Sequence, residues 1–475
     1  MRCTVLTPGH IRKIHEASLA ILDRVGVMVP HEETVSRLSD LGARVDDDGR
    51  RVRMPADLVD WALGACGKQF TLYGRDLSKT AAFGVGKRNY NSAAGQASWL
   101  ERPRGERRYA TLADVATATR LGDALDAITM PGSMADPHEL PAEWRCVAVA
   151  AEMIRNTTKP VTFWLHDRAS ARFLVELVTA VRGSEAEAAR HPMFYPLLEP
   201  ISPLRFPFDG IDLLYETARL NLPVMIGPMA QMGLTAPATL AGTMAQQNAE
   251  VLAGLVVTQC VREGLPVCYG GLCHQFDMRT TQLVFGGPEQ AIFGVAMTQM
   301  GKHYRLPVYV NSGLTDSKLP DAQAGIECAA TLQPAAAAGA DIFGHMGICG
   351  VDQAASLEML VMQSEVISYV ESAARDVTFD DDTFAVDVVE AVGPGGSFIG
   401  ERHTRDHFKA EMWFPALLDR QYYDPWREQG GQDMAARCAE RKAQLLVEHT
   451  VEPVTDDLDR ELSRIVGAAQ RDLAT

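Results

Sequence analysis

Ten side chains in this chain sit where a small polar guest could be handled: Tyr90, Trp164, His166, Tyr195, Glu199, Gln231, Asn311, Asp316, Lys318 and His345. Most of them close or follow a short apolar run. Trp164 and His166 end Val161–Leu165, and Glu199 follows Met193–Leu198. Gln231 follows Pro223–Ile226 after Gly227-Pro228; Asn311, Asp316 and Lys318 follow Pro307–Val310; His345 follows Asp341–Phe343. A lone polar residue at a strand end is commonly a helix cap or a bridge between loops. As a set they carry more weight, because parallel strands deliver their C-terminal ends to one mouth. Aromatic residues are sparse, yet Tyr90, Trp164, Phe194, Tyr195, Phe206 and Phe208 lie near the early strand ends. Ring faces attract a cation that cannot donate hydrogen bonds, which is how proteins hold a quaternary ammonium. Plain core packing is the competing reading for half or more of these rings.

Other chemistries are less well supplied. Cys273 with His274, Cys349 with His345, and Glu199 are ligand types that suit zinc, but their spacing matches no recognised ligand motif, so no metal site is expected. Glu199 is the only strong acidic candidate on the middle strands, which leaves no carboxylate pair for hydrolysis. Asp136-Pro137-His138 imitates the start of the D-x-H-x-x-G signature of cobalamin-binding domains, but position 141 is Pro. The chain therefore has no corrinoid-binding domain of its own. It has no P-loop, and no G-x-G-x-x-G follows a strand.

The elements that must position these residues are eight apolar runs: Asn89–Ala93, Ile128–Met130, Val161–Leu165, Met193–Leu198, Pro223–Ile226, Pro266–Tyr269, Pro307–Val310 and Asp341–Phe343. Their starts lie roughly 30 to 43 residues apart, room for one strand, one helix and two loops. Eight strands alternating with helices predict a closed (β/α)8 TIM barrel over 86–370. Helices are expected over Arg168–Arg182, capped by Gly183, and over Glu250–Glu263, Glu289–Met300 and Ala322–Ala338. Residues 1–85 read as a mixed α/β cap: Thr7-Pro8 opens a helix, Pro30-His31-Glu32-Glu33 opens another, Arg50–Met54 is a short strand and Pro55 starts a third helix. Ser98–Ala110 reads as a surface hairpin turning at Pro103-Arg104-Gly105. Residues 371–475 read as a helical extension, with a helix over Phe384–Val392 ending at Gly393-Pro394-Gly395-Gly396. These helices are expected to close the barrel bottom or to build the contacts of a homo-oligomer.

Bulk properties exclude several classes. At 475 residues and 47% hydrophobic content there is material for a large core. A net charge of −16 repels phosphate backbones, so nucleic acid is not expected as a partner. Nine scattered cysteines without a C-x-x-C pair suit reduced thiols and a cytoplasmic home. No signal peptide is expected, and the most apolar helical stretch, Ala249–Val261, is too short to span a bilayer.

Three segments carry a resemblance. Val310 through Gly325 (VNSGLTDSKLPDAQAG), Ile226-Gly227-Pro228 with Leu240 through Gly254, and Val392 through Gly400 with His403-Thr404 and His407-Phe408 are similar to the trimethylamine methyltransferase family. The likeness covers nearly the whole chain. It implies a TIM barrel that passes a substrate N-methyl group to the Co(I) of a separate corrinoid protein. Archaeal members carry pyrrolysine in the barrel, at a position expected within or near Ser312–Lys318; here every position is an ordinary residue. The resemblance therefore points to the non-pyrrolysine branch, which includes glycine betaine methyltransferase, and to a quaternary amine of betaine type. No cofactor is expected on this chain itself; the cobalamin belongs to the partner. Position and chemistry then suggest Trp164 and Tyr195 for the cation box and Glu199 to offset the ammonium charge. His166, Gln231, Asn311, His345 or Lys318 would be donors to a betaine carboxylate. Two other readings compete: a zinc-dependent methyltransferase acting on a thiol or alcohol, and a non-catalytic betaine-binding barrel.

Overall fold

Six of the eight apolar runs supply strands of one parallel sheet, in the order Leu197–Leu198, Val224–Ile226, Val267–Gly270, Val308–Val310, Ile342–Met346, Asn89–Ser92. The computed structural model describes residues 2–46, 49–101 and 105–474. Every neighbouring pair in this sheet is parallel, with Val224 opposite Val267, Tyr269 opposite Val308, Tyr309 opposite Ile342, and Phe343 opposite Tyr90. The strands are short and almost wholly buried, as a parallel sheet covered on both faces requires.

The other two runs are not strands. Met130 makes a single parallel bridge to Asn91, and Thr162 makes one to Gly132. Val161 N–H donates to Met193 C=O at 3.1 Å, and Thr162 N–H to Pro131 C=O at 3.0 Å. Prolines explain the loss of ladder: Pro131, Pro160, Pro192 and Pro196 interrupt this quarter of the chain, and each removes a backbone donor. The fold is thus mixed α/β, a curled sheet of six parallel strands with helices around it. The predicted eight-stranded sheet is present as these six strands and two single-residue links.

Helices fill the crossovers. Leu240–Val261, Pro288–His303 and Ala322–Ala338 each connect consecutive strands, with Thr239 and Asp321 as side-chain N-caps on the first and third. The first begins ten residues before the predicted Glu250, because Thr239 and not Glu250 provides its cap. Close packing on the sheet uses glycine. A Cβ at Gly254 would stand 2.4 Å from Ile226 Cγ2, and one at Gly301 would stand 2.4 Å from Val308 Cγ2. The hairpin of Phe70–Tyr73 with Thr80–Phe83 sends Leu72, Ala81 and Phe83 into one buried cluster. That cluster also holds Met130, Tyr195, Met225, Cys268, Tyr309 and Ile342, one residue from each of six of the eight runs.

The N-terminal expectations match element by element: helices Pro8–Arg24, Glu32–Asp40 and Ala56–Ala65, and the strand Arg51–Arg53. Thr7 caps the first helix, which lies along Leu240–Val261. Ser18 Oγ there donates to Ala245 C=O at 2.8 Å. Trp99–Leu100 pairs antiparallel with Arg107–Arg108, the predicted hairpin; its expected turn residues Pro103 and Arg104 lie outside the described residues. The helix predicted over Phe384–Val392 is instead two, Asp381–Phe384 and Val386–Val392, broken at Ala385, whose φ of 50° is left-handed. From there to Tyr423 the chain exposes Phe384, Val386, Ile399, Phe414, Tyr422 and Tyr423. Met434–Glu448 and Asp456–Leu473 then return to the body, burying Cys438, Leu445, Leu462 and Ile465. Among the described residues, no helix is long and apolar enough to cross a membrane.

Candidate functional site

The C-terminal ends of the parallel strands enclose a cavity of about 330 Å³. Nearly every run contributes a wall. Gly95 and Gln96 follow Asn89–Ser92, Trp164 follows Val161, and Glu199 follows Leu197–Leu198. Met229, Leu272 and Asn311 follow the next three strands, and His345 lies within Ile342–Met346. Phe285, Leu314, Ile348 and Asp352 complete the walls from loops. Openings at the carboxyl ends of parallel strands are where such sheets place ligands, because the loops there vary without disturbing the core.

Trp164 is held by one bond, Nε1–H to Gly95 C=O at 2.9 Å, and its indole lies 5.7 Å from the His345 ring at a tilt of 36°. Residue 95 must be glycine for this contact: a Cβ would stand 2.7 Å from Trp164 Cδ1. Behind the cavity, Tyr309 OH and His345 Nε2 are 2.5 Å apart, and burial pulls the imidazole down to about 4, so it is neutral at pH 7. Asn311 Nδ2 bonds His274 Nε2 at 3.1 Å, and its backbone carbonyl accepts from Gln290 Nε2 at 2.9 Å. Asn311 Oδ1 and His345 Nδ1 are buried without a hydrogen-bond partner among the described residues. Unpaired buried polar atoms at one place are unusual, and their natural complement is a ligand or water.

The cavity is acidic. Burial, and after it the charge of Asp352, push the Glu199 carboxyl up to about 7. No hydrogen bond or ion pair to Glu199 occurs among the described residues. Asp352 stands at the rim, exposed on one side, where Gln96 Nε2 donates to both its carboxylate and its backbone carbonyl. Among the described residues, no lysine or arginine lines the cavity.

Of the ten side chains singled out in the sequence, Trp164, Glu199, Asn311 and His345 meet here. The other six do not line the cavity. Tyr90 faces outward: its OH donates to Glu371, which also pairs with Arg88, and its ring stacks on Phe343. Strand alternation explains this, since Asn91 and not Tyr90 takes the inner face. Tyr195 is buried beneath the cavity, its OH 3.3 Å from Thr162 Oγ1. His166 Nδ1 contacts Ala142 C=O at 3.0 Å. Gln231 belongs to a two-residue strand paired with His274–Gln275. Asp316 has a supporting place: its carboxylate accepts from Phe285 N–H at 2.8 Å and Gly286 N–H at 3.2 Å, pinning the loop that carries Phe285 into the wall. Lys318 is exposed, its Nζ bonded to Asp316 C=O at 2.8 Å. Gln96, Phe285 and Asp352 were not foreseen. Gln96 ends the short strand Ala94–Gln96, outside the eight runs, while Phe285 and Asp352 stand on irregular segments; the left-handed pair Val351 and Asp352 marks the last of them.

The zinc donors are not assembled. Among the described residues no three or more His, Cys, Asp or Glu side chains gather in a way that could hold a metal ion. Burial raises the Cys273 and Cys349 thiols, the latter to about 11, so neither is a ready thiolate.

The sequence profile of trimethylamine methyltransferase (MTTB) matches residues 1–473. The chain belongs to the trimethylamine methyltransferase family. Within that family it is 31% identical over 469 residues to glycine betaine methyltransferase of Desulfitobacterium hafniense Y51, covering 98% of this chain and 97% of the relative. It is 29% identical over 453 residues to trimethylamine methyltransferase MttB of Desulfitobacterium hafniense DCB-2, covering 95% and 91%. Monomethylamine methyltransferase (MtmB) of Methanosarcina barkeri, a solved crystal structure, is similar over 100% of this chain and 94% of its own. Its TM-score is 0.50 at 10% identity, which speaks for the fold alone. The family membership anticipated from the Val310–Gly325 segment therefore holds, and so does the kinship with a glycine betaine enzyme.

Proposed function

We propose that this member of the trimethylamine methyltransferase family removes a methyl group from a quaternary amine and delivers it to the Co(I) of a separate corrinoid protein. The observation that carries the reading is the cavity at the strand ends. It joins an indole face, a second aromatic wall and an unpaired carboxylate, the complement of a methylated cation. Co(I) in a corrinoid supplies the nucleophile for the methyl carbon. A quaternary nitrogen leaves as a neutral tertiary amine, so no protein acid is needed. The work of this chain is to bind and orient. Trp164 and Phe285 lie against the methyl groups, Glu199 balances the charge, and Leu197, Met229, Leu272 and Leu314 keep water out. Neutral His345 adds no competing positive charge.

The sheet is proposed to close as an eight-stranded barrel over 86–370, between the cap over 1–85 and the extension over 371–475. The two bridges at Met130 and Thr162, the Val161–Met193 bond and the shared interior cluster support that closure. The exposed apolar side chains between Phe379 and Tyr423 favour a homo-oligomer, in which a second copy covers them. All nine cysteines are free, as suits a reducing cytoplasm.

The test is to incubate the purified protein with a panel of quaternary amines and Co(I) cobalamin or a corrinoid protein, and to follow the demethylated amine by mass spectrometry. Product that depends on Co(I) and on this protein is expected. A panel that yields no product with either methyl acceptor overturns the reading.

A further inference from the structure

The relatives act on both a betaine and a simple amine, and the two guests make opposite electrostatic demands. A betaine carries a carboxylate a few ångströms from its ammonium and needs fixed donors for it, arginine or lysine above all. A simple quaternary ammonium needs ring faces and negative charge alone. The walls answer this. Of the donors suggested for a substrate carboxylate, His166, Gln231 and Lys318 lie elsewhere, and among the described residues no arginine or lysine takes their place. One Asn311 amide N–H goes to His274, Gln96 gives its amide to Asp352, and Trp164 Nε1–H is taken by Gly95; what remains for a carboxylate is neutral, the second Asn311 N–H and His345 Nδ1. Two carboxylates, Glu199 and Asp352, face the same space. A volume of about 330 Å³ is at the small end for ligand sites.

We infer that the substrate of this cavity is a compact quaternary ammonium without a carboxylate, and that Glu199 with Asp352 rejects zwitterionic betaines by like charge. The inference rests on the proposed quaternary-amine chemistry and names the guest within it. It makes Glu199 a specificity-determining residue. The groups around its carboxyl are Asp352 across the cavity, neutral His345, and the Tyr309 hydroxyl behind it; none is cationic.

Affinity must then follow chiefly the ionisation of Glu199, with a smaller part from Asp352, whose carboxyl burial pushes up to about 6. With its carboxyl near 7 in the empty site, about a tenth is ionised at pH 6 and about nine tenths at pH 8. A guest that binds only the ionised form gains about tenfold over that range.

Calorimetric titration of the full-length protein with tetramethylammonium, choline and glycine betaine at pH 6 and pH 8 tests this. Tetramethylammonium or choline is expected to bind at least tenfold more tightly than glycine betaine at pH 8, and about tenfold more tightly than at pH 6. Glu199→Gln should flatten the pH dependence and narrow the gap between choline and betaine. Asp352→Asn, at the rim, should narrow the gap in the same direction if Glu199→Gln fails to fold. Glycine betaine binding as tightly as choline overturns the inference while leaving the quaternary-amine reading intact. Failure of all three ligands to bind overturns both.

Discussion

Removing the indole of Trp164 is the sharpest single perturbation of the cavity. The ring is half-buried and held by one hydrogen bond to Gly95, so its loss leaves the core intact. A cation against an indole face in a partly enclosed site is stabilised by about 1–2 kcal/mol. At about 1.4 kcal/mol per decade, Trp164→Ala should weaken binding of a quaternary ammonium about 5- to 30-fold. Trp164→Phe keeps a ring with a weaker face and should lose about two- to threefold. Gly95→Ala offers a route that leaves the indole chemically untouched. Its Cβ would stand 2.7 Å from Cδ1 and 3.1 Å from Nε1, so the ring must move and affinity should fall in the same direction. Calorimetry against the preferred ligand reads the affinities, and thermal melts confirm that each variant is folded. Trp164→Ala binding within twofold of the parent, with its melting temperature retained, would refute a ring-held cation.

Other outcomes follow from the packing and charges. Gly254→Ala drives a methyl into Ile226 at 2.4 Å and should cost about 1–3 kcal/mol, read by chemical denaturation. Burial works to raise the Asp123 carboxyl, but hydrogen bonds from Thr157, Thr158 and His449 outweigh it and hold the group below its usual range. Its stabilisation is therefore complete above about pH 4 and is lost as pH falls through the lowered native value. Melting curves from pH 6 to pH 3 should fall more steeply for the parent than for Asp123→Asn. In sedimentation velocity, Phe379→Asp with Ile399→Asp should shift the protein towards smaller species, since both side chains are strongly exposed in one copy.

Much of the frame was legible because its signals are local. Asp167 and Gly183 bracket the Arg168–Arg182 helix, as Asp321 and Gly339 bracket Ala322–Ala338, by capping chemistry visible in the sequence. The runs around Met130 and Thr162 were equally apolar yet make single bridges, because a proline takes away donors that hydrophobicity does not reveal. In the cavity, residues at or one step past the end of a strand were placed well: Glu199, Asn311 and His345 converge. Lys318 and Gln231 lie further along their loops, where loop conformation and not strand direction decides. Asp352 reaches the same space from a left-handed turn late in the chain, a matter of tertiary closure that spacing does not encode.

The bond between Ser18 and the Leu240–Val261 helix belongs to a wider set. Asn248 Nδ2 donates to Ser18 Oγ at 2.9 Å and to Tyr304 OH at 3.0 Å, while its Oδ1 accepts from Tyr269 OH at 2.9 Å. Tyr304 in turn reaches His15. Ser18, Asn248, Tyr269 and Tyr304 are buried at the back of the wall, with half-buried His15 at its edge. Trimming the chain to its strand-bearing region would therefore expose one face of a sealed polar knot and leave Asn248 short of a partner. Each such orphaned group costs about 1–3 kcal/mol. The leading helix is masonry of the wall, so a shortened enzyme built to begin near residue 86 should be insoluble, however complete its cavity.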